Sequence, residues 1–402
     1  MPATVQHDVL KYKGSNFFRQ RLLLSTLSGR AIKIEDIRST QDDPGLREYE
    51  VSLIRLLDKV TNGTRVELSQ TGTSVYFQPG ILIGGQVTHS CSTQRGIGYY
   101  LEILLALGPF CKEPINAVLQ GVTHSDLDTS VDKIKAAALP VLLKFILVDD
   151  GLDLKVVRRG APPLGGGEVV FKCPVRRHLR PLQLTTWGLV KRIRGIVYAL
   201  RVSPTMANRV VDSAKGVSMA VIFSAWPNNG HKFYSPQHRS QKPAAVMLKF
   251  LPDVYINTDQ CRGSNAGKSP GFGISLIAET NDKTFYCAEA VSTFTITTKN
   301  LNPLHTADST ALKRQLRKLS KVPGCLSYYN TNCLDGLTGP LSDYTITFLQ
   351  HLKEFFGVMF KLEVLRNEED GEDSGDEEVS PANKIKMTCV GIGYANISKR
   401  TL

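Results

Sequence analysis

The sequence predicts an α/β (α+β) protein made of three repeated α/β units with a smaller α/β domain inserted among them. Three observations carry this. One order of helix, strand, loop and helix occurs twice in the first half of the chain and returns in part near its end. A stretch of different order separates the second and third occurrences. At 402 residues and 42% hydrophobic content, the chain can also bury more than one core.

Taken in order, a helix-like run from Phe18 to Leu27 stops at Gly29, and a strand follows over Ala31 to Ile37. A polar loop ends in Pro44-Gly45. The helix that begins at Leu46 places Val51, Ile54, Leu57 and Val60 on one face. The second unit repeats this with a helix over Gly98 to Leu107, a break at Gly108-Pro109, and a strand over Ile115 to Leu119. A loop then leads to Ser130-Val131-Asp132 and a helix over Lys133 to Phe145. Near the end, Tyr344 to Phe356 reads as a helix closed by Gly357, with a strand over Val358 to Leu365. The intervening stretch reads as βαβ: strand Ile193 to Val202, helix Pro204 to Ala214 and strand Val254 to Thr258.

The expected division is therefore 1–180 for the first two units, 181–290 for the inserted domain, and 291–402 for a third, partly atypical unit. Residues 216–249 read as a long loop, and 366–383 as a solvated acidic loop with no apolar residue to bury across its charged run. Residues 216–249 and 291–335 depart from the repeat pattern, and altered splicing or gene prediction is the reading they suggest.

The net charge is +12 even though Glu368 to Glu378 contributes eight carboxylates, so the rest of the chain is strongly basic and favours a polyanionic partner. The eight cysteines form no CxxC pair and no zinc-ligand spacing, which reads as free thiols in a reducing compartment. The longest apolar stretch, Ala136 to Val148, is interrupted by Lys144 and is too short for a bilayer span. Gly267-Lys268-Ser269 fails as a P-loop because Arg262 stands where the first glycine belongs. His351 reads as a solvated side chain on the polar face of its helix.

The sharpest local signal is Arg159-Gly160-Ala161-Pro162-Pro163-Leu164-Gly165-Gly166-Gly167-Glu168-Val169. Consecutive glycines let backbone amides approach an anion, with Arg158 and Arg159 as added donors; a wide turn between strands is the alternative. Basic clusters at Arg176-Arg177-His178-Leu179-Arg180, Lys191-Arg192-Ile193-Arg194 and Lys313-Arg314 with Arg317-Lys318 are candidates for phosphate contact.

That signature resembles the one in RNA 3′-terminal phosphate cyclases. Leu27-Ser28-Gly29-Arg30-Ala31-Ile32-Lys33-Ile34, Ile37-Arg38, Pro44-Gly45-Leu46 and Ser130-Val131-Asp132 resemble the same family's first and second repeats. The resemblance implies three repeats similar to the C-terminal domain of translation initiation factor three, plus an inserted domain. It also exposes departures. The family's Glu-Gly-Gly-Gly-Gln followed by Ile-Leu-Arg is here Tyr12-Lys13-Gly14-Ser15-Asn16 followed by Phe17-Phe18-Arg19. Gln41 replaces a second arginine, Tyr49-Glu50 replaces Gln-His, and Pro340 stands where the cyclases carry their nucleophilic histidine. Proline offers no nucleophile.

The pattern of Tyr12, Gly14, Asn16-Phe17 and Arg19-Gln20-Arg21-Leu22 is similar to a non-catalytic branch of the family. That branch implies a role in small-subunit (18S) pre-rRNA processing in the nucleolus of the nucleus. Its implied partners are a ribosome-biogenesis GTPase, precursor rRNA and a small nucleolar ribonucleoprotein. An rRNA endonuclease or an active cyclase are the rival readings. No catalytic residue, metal site or cofactor is expected. The anion- or RNA-binding candidates are Arg19, Arg21, Arg38, Arg158, Arg159, Gly165, Gly166, Gly167, Arg176, Arg177, Lys191, Arg192 and Arg194.

Overall fold

The computed structural model describes residues 9–147, 150–184, 190–212, 214, 253–292, 333–338, 341, 343–365, 384–393 and 396. The first sheet is formed by β1 (Leu10–Lys13), β2 (Ile32–Glu35), β3 (Arg65–Leu68) and β4 (Val75–Gln78). Their order is β1-β2-β4-β3, with a parallel first pair and antiparallel pairs after it. Alternation decides the facing: Ile32 and Ile34 are buried while Lys33 and Glu35 look outward. Helix α1 (Phe18–Ser28) crosses between the parallel strands and stops at Gly29, whose φ of 72° lets its amide close on the Ser25 carbonyl at 2.9 Å. Helix α2 (Glu48–Val60) starts slightly later than the periodicity indicated, because the Glu50 carboxylate accepts from the Arg47 amide at 2.8 Å and fixes the first turn there.

The second sheet repeats the design with β5 (Gly84–Ser90), β6 (Glu113–Gly121), β7 (Asp153–Arg158) and β8 (Gly167–Cys173), in the order β5-β6-β8-β7. Again the first pair is parallel and the others antiparallel. Its helices are α3 (Ile97–Leu107) and α4, which runs Val131–Lys133, through a π turn at Ile134–Ala138, into Leu139–Ile146. Ser130 caps α4 by accepting from the Lys133 amide at 3.1 Å. The π turn lies just before Pro140, which has no N–H to continue the α ladder.

The third sheet has β9 (Gln183–Leu184), β14 (Cys333–Thr338), β15 (Phe360–Leu365) and β16 (Lys384–Val390), ordered β9-β14-β16-β15 with the same parallel-then-antiparallel pattern. Helix α6 (Asp343–Phe356) belongs to it and ends at Gly357. Three sheets of identical topology are the repeats expected from the sequence. Because β9 pairs with β14, residues 183–184 belong to the third unit and the inserted sheet begins at Val190.

The insert contains β10 (Val190–Leu200), β11 (Val254–Cys261), β12 (Gly271–Thr280) and β13 (Phe285–Val291), ordered β11-β10-β12-β13. Residues 204–212 form helix α5, which lies between β10 and β11 in sequence. Its Ala207 and Val211 pack on Val197, Ala199, Ile274 and Leu276 on one sheet face. The opposite face meets the second repeat through Tyr198 and Leu200 on Ala161, and Ile277 and Cys287 on Ala137.

Helices α1, α2, α3, α4 and α6 share one continuous apolar cluster with the inner faces of their sheets. Leu22, Leu101, Leu142 and Leu352 are fully buried in it, so the three repeats support one another. The segments 216–249 and 366–383, almost all of 291–335, Pro340, and Lys313, Arg314, Arg317 and Lys318 lie outside the described residues. No described helix is long and apolar enough to cross a membrane.

Candidate functional site

Two arginines of the cyclase pattern, Arg19 and Arg38, meet the substituted pair Tyr49-Glu50 where α1, α2 and α3 come together. Arg38 follows β2 in the left-handed region, φ 49°, an unusual conformation for a branched-off long side chain that the surroundings must hold. Its guanidinium forks the Glu50 carboxylate with two hydrogen bonds of 2.8 Å and donates to Tyr49 Oη at 3.2 Å and to the Gly45 carbonyl at 3.0 Å. Glu50 is 2% exposed. Gly45 is required beside it: φ is 87°, and a Cβ there would lie 2.3 Å from the Thr71 carbonyl oxygen.

Two further arginines join from neighbouring elements. Arg95, just before α3, forks Asp128 through Nε at 2.9 and 3.1 Å and lies over the rings of Tyr99 (4.5 Å) and Tyr49 (5.2 Å). Arg19 on α1 also lies 4.7 Å over the Tyr99 ring, donates to the Tyr99 carbonyl at 3.2 Å, and pairs with Glu102. Glu102 also accepts from Thr129 Oγ1 at 2.8 Å. Tyr49 and Tyr99 meet edge to face at 5.6 Å.

Three arginines thus surround two tyrosines, and each arginine has its own carboxylate. The electrostatics follow. The Glu50 hydrogen bonds raise the pKa of Arg38. Burial disfavours charge on Arg19 and Arg95, yet Glu102 and Asp128 outweigh it and both pKa values rise. Burial pushes the Tyr99 phenol up, so it stays neutral. The cluster is charge-balanced, hydrogen-bonding and aromatic. An entering phosphate would have to compete with a paired carboxylate for every cation.

The first turn of α6 borders this cluster. Tyr344 stacks on Phe17 at 5.2 Å and its hydroxyl bonds Gln20. Pro340 precedes that turn in the chain. Further along α6, His351 is 4% exposed and packs edge-on against Tyr12 (5.2 Å) and Phe17 (5.5 Å), with Nδ1 unpartnered. This corrects the expectation of a solvated His351. The helix is covered on two sides, by its own sheet and by the first repeat, so its polar face is narrower than its sequence suggests.

The other candidates lie elsewhere. Arg21 faces away from the cluster, over the Tyr12 ring at 4.5 Å, and donates to the Gly14 carbonyl at 3.1 Å. Arg158 pairs with Glu168 at 2.9 Å. Arg159 is 5% exposed and fully engaged: Asp132 accepts from it at 2.7 and 3.1 Å, and Asp259 of the insert at 2.6 Å. His124 completes this network, with Nε2 2.8 Å from Asp132.

The three glycines serve close packing. A Cβ on Gly166, φ 83°, would lie 2.9 Å from Lys268 Cγ, and one on Gly167 2.7 Å from the Gly160 nitrogen. Backbone amides of the loop point inward as well: Leu164 donates to Ser269 Oγ at 3.1 Å and Gly165 to the Ala161 carbonyl at 2.9 Å, while Lys268 N donates to the Gly165 carbonyl at 2.9 Å. The signature joins the second repeat to the insert, because glycine permits backbone to approach backbone. Arg176 donates to the Ile146 and Val175 carbonyls, and the Arg177 carbonyl accepts from Asn396. On β10, Lys191 is exposed, while Arg192 pairs with Glu279 and Arg194 with Asp253.

The structure therefore unites Arg19 and Arg38, groups Arg158 and Arg159 with Gly165, Gly166 and Gly167 beside the insert, and leaves Lys191, Arg192 and Arg194 together on β10. It adds Arg95, Tyr99, Glu102 and Asp128, whose only sequence signals are an arginine ahead of a helix start and a Tyr-Tyr pair. Among the described residues, no three His, Cys, Asp or Glu side chains converge as metal ligands.

A family model described as RNA 3′-terminal phosphate cyclase matches residues 10–362. The chain is 48% identical to a probable RNA 3′-terminal phosphate cyclase-like protein of Drosophila melanogaster, over 100% of both chains. It is 48% identical to the RNA 3′-terminal phosphate cyclase-like protein of Homo sapiens, over 99% of both. With the rRNA processing protein rcl1 of Schizosaccharomyces pombe the identity is 36%, over 97% of this chain and 98% of the relative. Repeated topology, inserted sheet and full-length similarity agree: the chain belongs to the RNA 3′-terminal phosphate cyclase family.

Proposed function

We propose that this chain is a non-catalytic, RNA-associated assembly factor in small-subunit (18S) pre-rRNA processing, acting in the nucleolus with precursor rRNA, a small nucleolar ribonucleoprotein and a ribosome-biogenesis GTPase. The carrying observation is the Arg38–Glu50 fork. Glu50 stands where the cyclase pattern has histidine, and it neutralises the arginine the resemblance singles out. Arg19 is neutralised in the same way by Glu102. Pro340, at the position matched to the cyclase nucleophile, removes the group that would take AMP. The names of the human and Schizosaccharomyces pombe relatives support the same reading.

RNA contact then falls to cations outside the cluster. Lys191 with Arg192 and Arg194 on the insert, Arg158, and Arg176 with Arg177 are the surface this reading assigns to phosphates. Filter binding of single-stranded precursor rRNA across a salt series tests it. Affinity should fall with salt at about 0.7 log units per log unit for each phosphate contacted, and Lys191→Glu should flatten that slope by about one contact. A salt-independent affinity, or normal small-subunit rRNA in cells depleted of the protein, would refute the proposal.

A further inference from the structure

Away from the arginine–tyrosine cluster, a cleft opens where the end of α4, the short strand β9 and the β12–β13 turn of the insert meet. Lys144, Leu147, Arg180, Leu182, Leu184 and Asp282 line it. Its volume is about 680 Å³. Three features distinguish it from an ordinary groove.

First, β9 is the outer strand of the third sheet. β14 takes one edge, and among the described residues no strand pairs with the other. Second, the walls are aliphatic. Leu147 is 60% exposed and held in the left-handed region at φ 65°, with its amide closing α4 on the Leu143 carbonyl at 2.9 Å, so an apolar side chain is fixed at the rim. Third, the charge is positive. Lys144 and Arg180 face a single carboxylate, Asp282. Lys144 is anchored through the Asp282 and Lys283 carbonyls at 3.3 and 2.9 Å, and Arg180 has no side-chain partner among the described residues.

We propose that this cleft is a protein-docking site that takes an extended partner segment, carrying a carboxylate flanked by aliphatic side chains, as an added strand on β9. An open strand edge offers backbone hydrogen bonds that a peptide satisfies and a nucleic acid does not. Among the described residues no aromatic side chain lines the cleft to stack a base, whereas leucines accept alternate side chains of a strand. Lys144 and Arg180 supply the complement to the acid. The inference extends the scaffold reading to a protein partner and does not depend on RNA contact.

Panning a random decapeptide display library on the immobilised full-length protein tests it. Sequences carrying Asp or Glu next to Leu, Ile or Val should be enriched. The best of them, made synthetically, should bind at least tenfold more weakly to Arg180→Glu and to Leu147→Gly, two exposed positions where melting of the variants can be matched to the parent. N-methylation of alternate peptide amides should abolish binding, and a photo-crosslinker in the peptide should label Gln183 or Leu184. The proposal is overturned if no enriched class depends on Arg180 and Leu147, if the crosslink falls outside the cleft, or if single-stranded RNA binds there in an Arg180-dependent way and displaces the peptide.

Discussion

Replacing Glu50 by alanine isolates what holds the arginine–tyrosine cluster together. The carboxylate is 2% exposed, the Arg38 side chain 12%, and the pair shares two 2.8 Å hydrogen bonds. Glu50 also holds the Arg47 amide at the start of α2. Removing it leaves a nearly buried guanidinium with only the Tyr49 hydroxyl and the Gly45 carbonyl, and breaking one partner of such a pair costs about 3–5 kcal/mol. Urea unfolding monitored by tryptophan fluorescence and circular dichroism measures that loss. Arg38→Met with Glu50→Leu removes both charges and should recover most of it, since an apolar pair leaves no unpaired ion. The same Glu50→Ala protein should gain affinity for pyrophosphate by isothermal titration, because Arg38 loses its competitor. A cost below about 1 kcal/mol, the range of an exposed pair, or a double variant no better than the single, would show that the fork is incidental.

Other consequences are read directly. His89 is buried against Ser52 Oγ at 2.9 Å, and burial, with Lys59 and Arg55, lowers its pKa to about 4. The unfolded chain binds this proton near the ordinary imidazole value of 6.5; stability should therefore be lost as pH falls from about 6.5 toward 4, and His89→Gln should flatten melting temperature across that window. His351→Leu removes an unpartnered buried nitrogen and should stabilise the protein by about 1 kcal/mol in urea, while a comparable loss would mean that a water satisfies Nδ1. Gly166→Ala places a Cβ against Lys268 at a positive φ and should destabilise by about 1–3 kcal/mol, with limited proteolysis releasing the insert; unchanged resistance would contradict its joining role.

Much of the fold was legible because each repeat announces itself locally. Gly29 and Gly357 end helices, Ile32 and Ile34 alternate with charged residues, and Ser130 marks a helix start. The two-residue strand β9 was not legible, since a strand that short has no period and its partner lies far along the chain. His351 misled for a related reason. Tyr344, Phe348, His351 and Phe355 follow the spacing of one helical stripe, but the polar residue in it reads as solvent-facing until α1 is seen to cover that stripe. At the site, Arg19 and Arg38 were identifiable from the family pattern. The partner of Arg19 was not, because Glu102 reaches it only through the packing of α3 against α1, and neither was the added pair Arg95–Asp128. The glycine-rich signature marked a close approach of backbones and left its role ambiguous, since glycine serves an anion and a neighbouring backbone alike.

On the proposed reading, the cyclase site survives here as structure without its chemistry. Incubating purified protein with labelled ATP and an RNA ending in a 3′-phosphate decides the matter. No protein–AMP adduct and an unchanged RNA end are expected, with RNA binding that weakens steeply with salt. A stoichiometric adduct together with a 2′,3′-cyclic end would contradict it, and would mean that another side chain has replaced the nucleophile missing at Pro340.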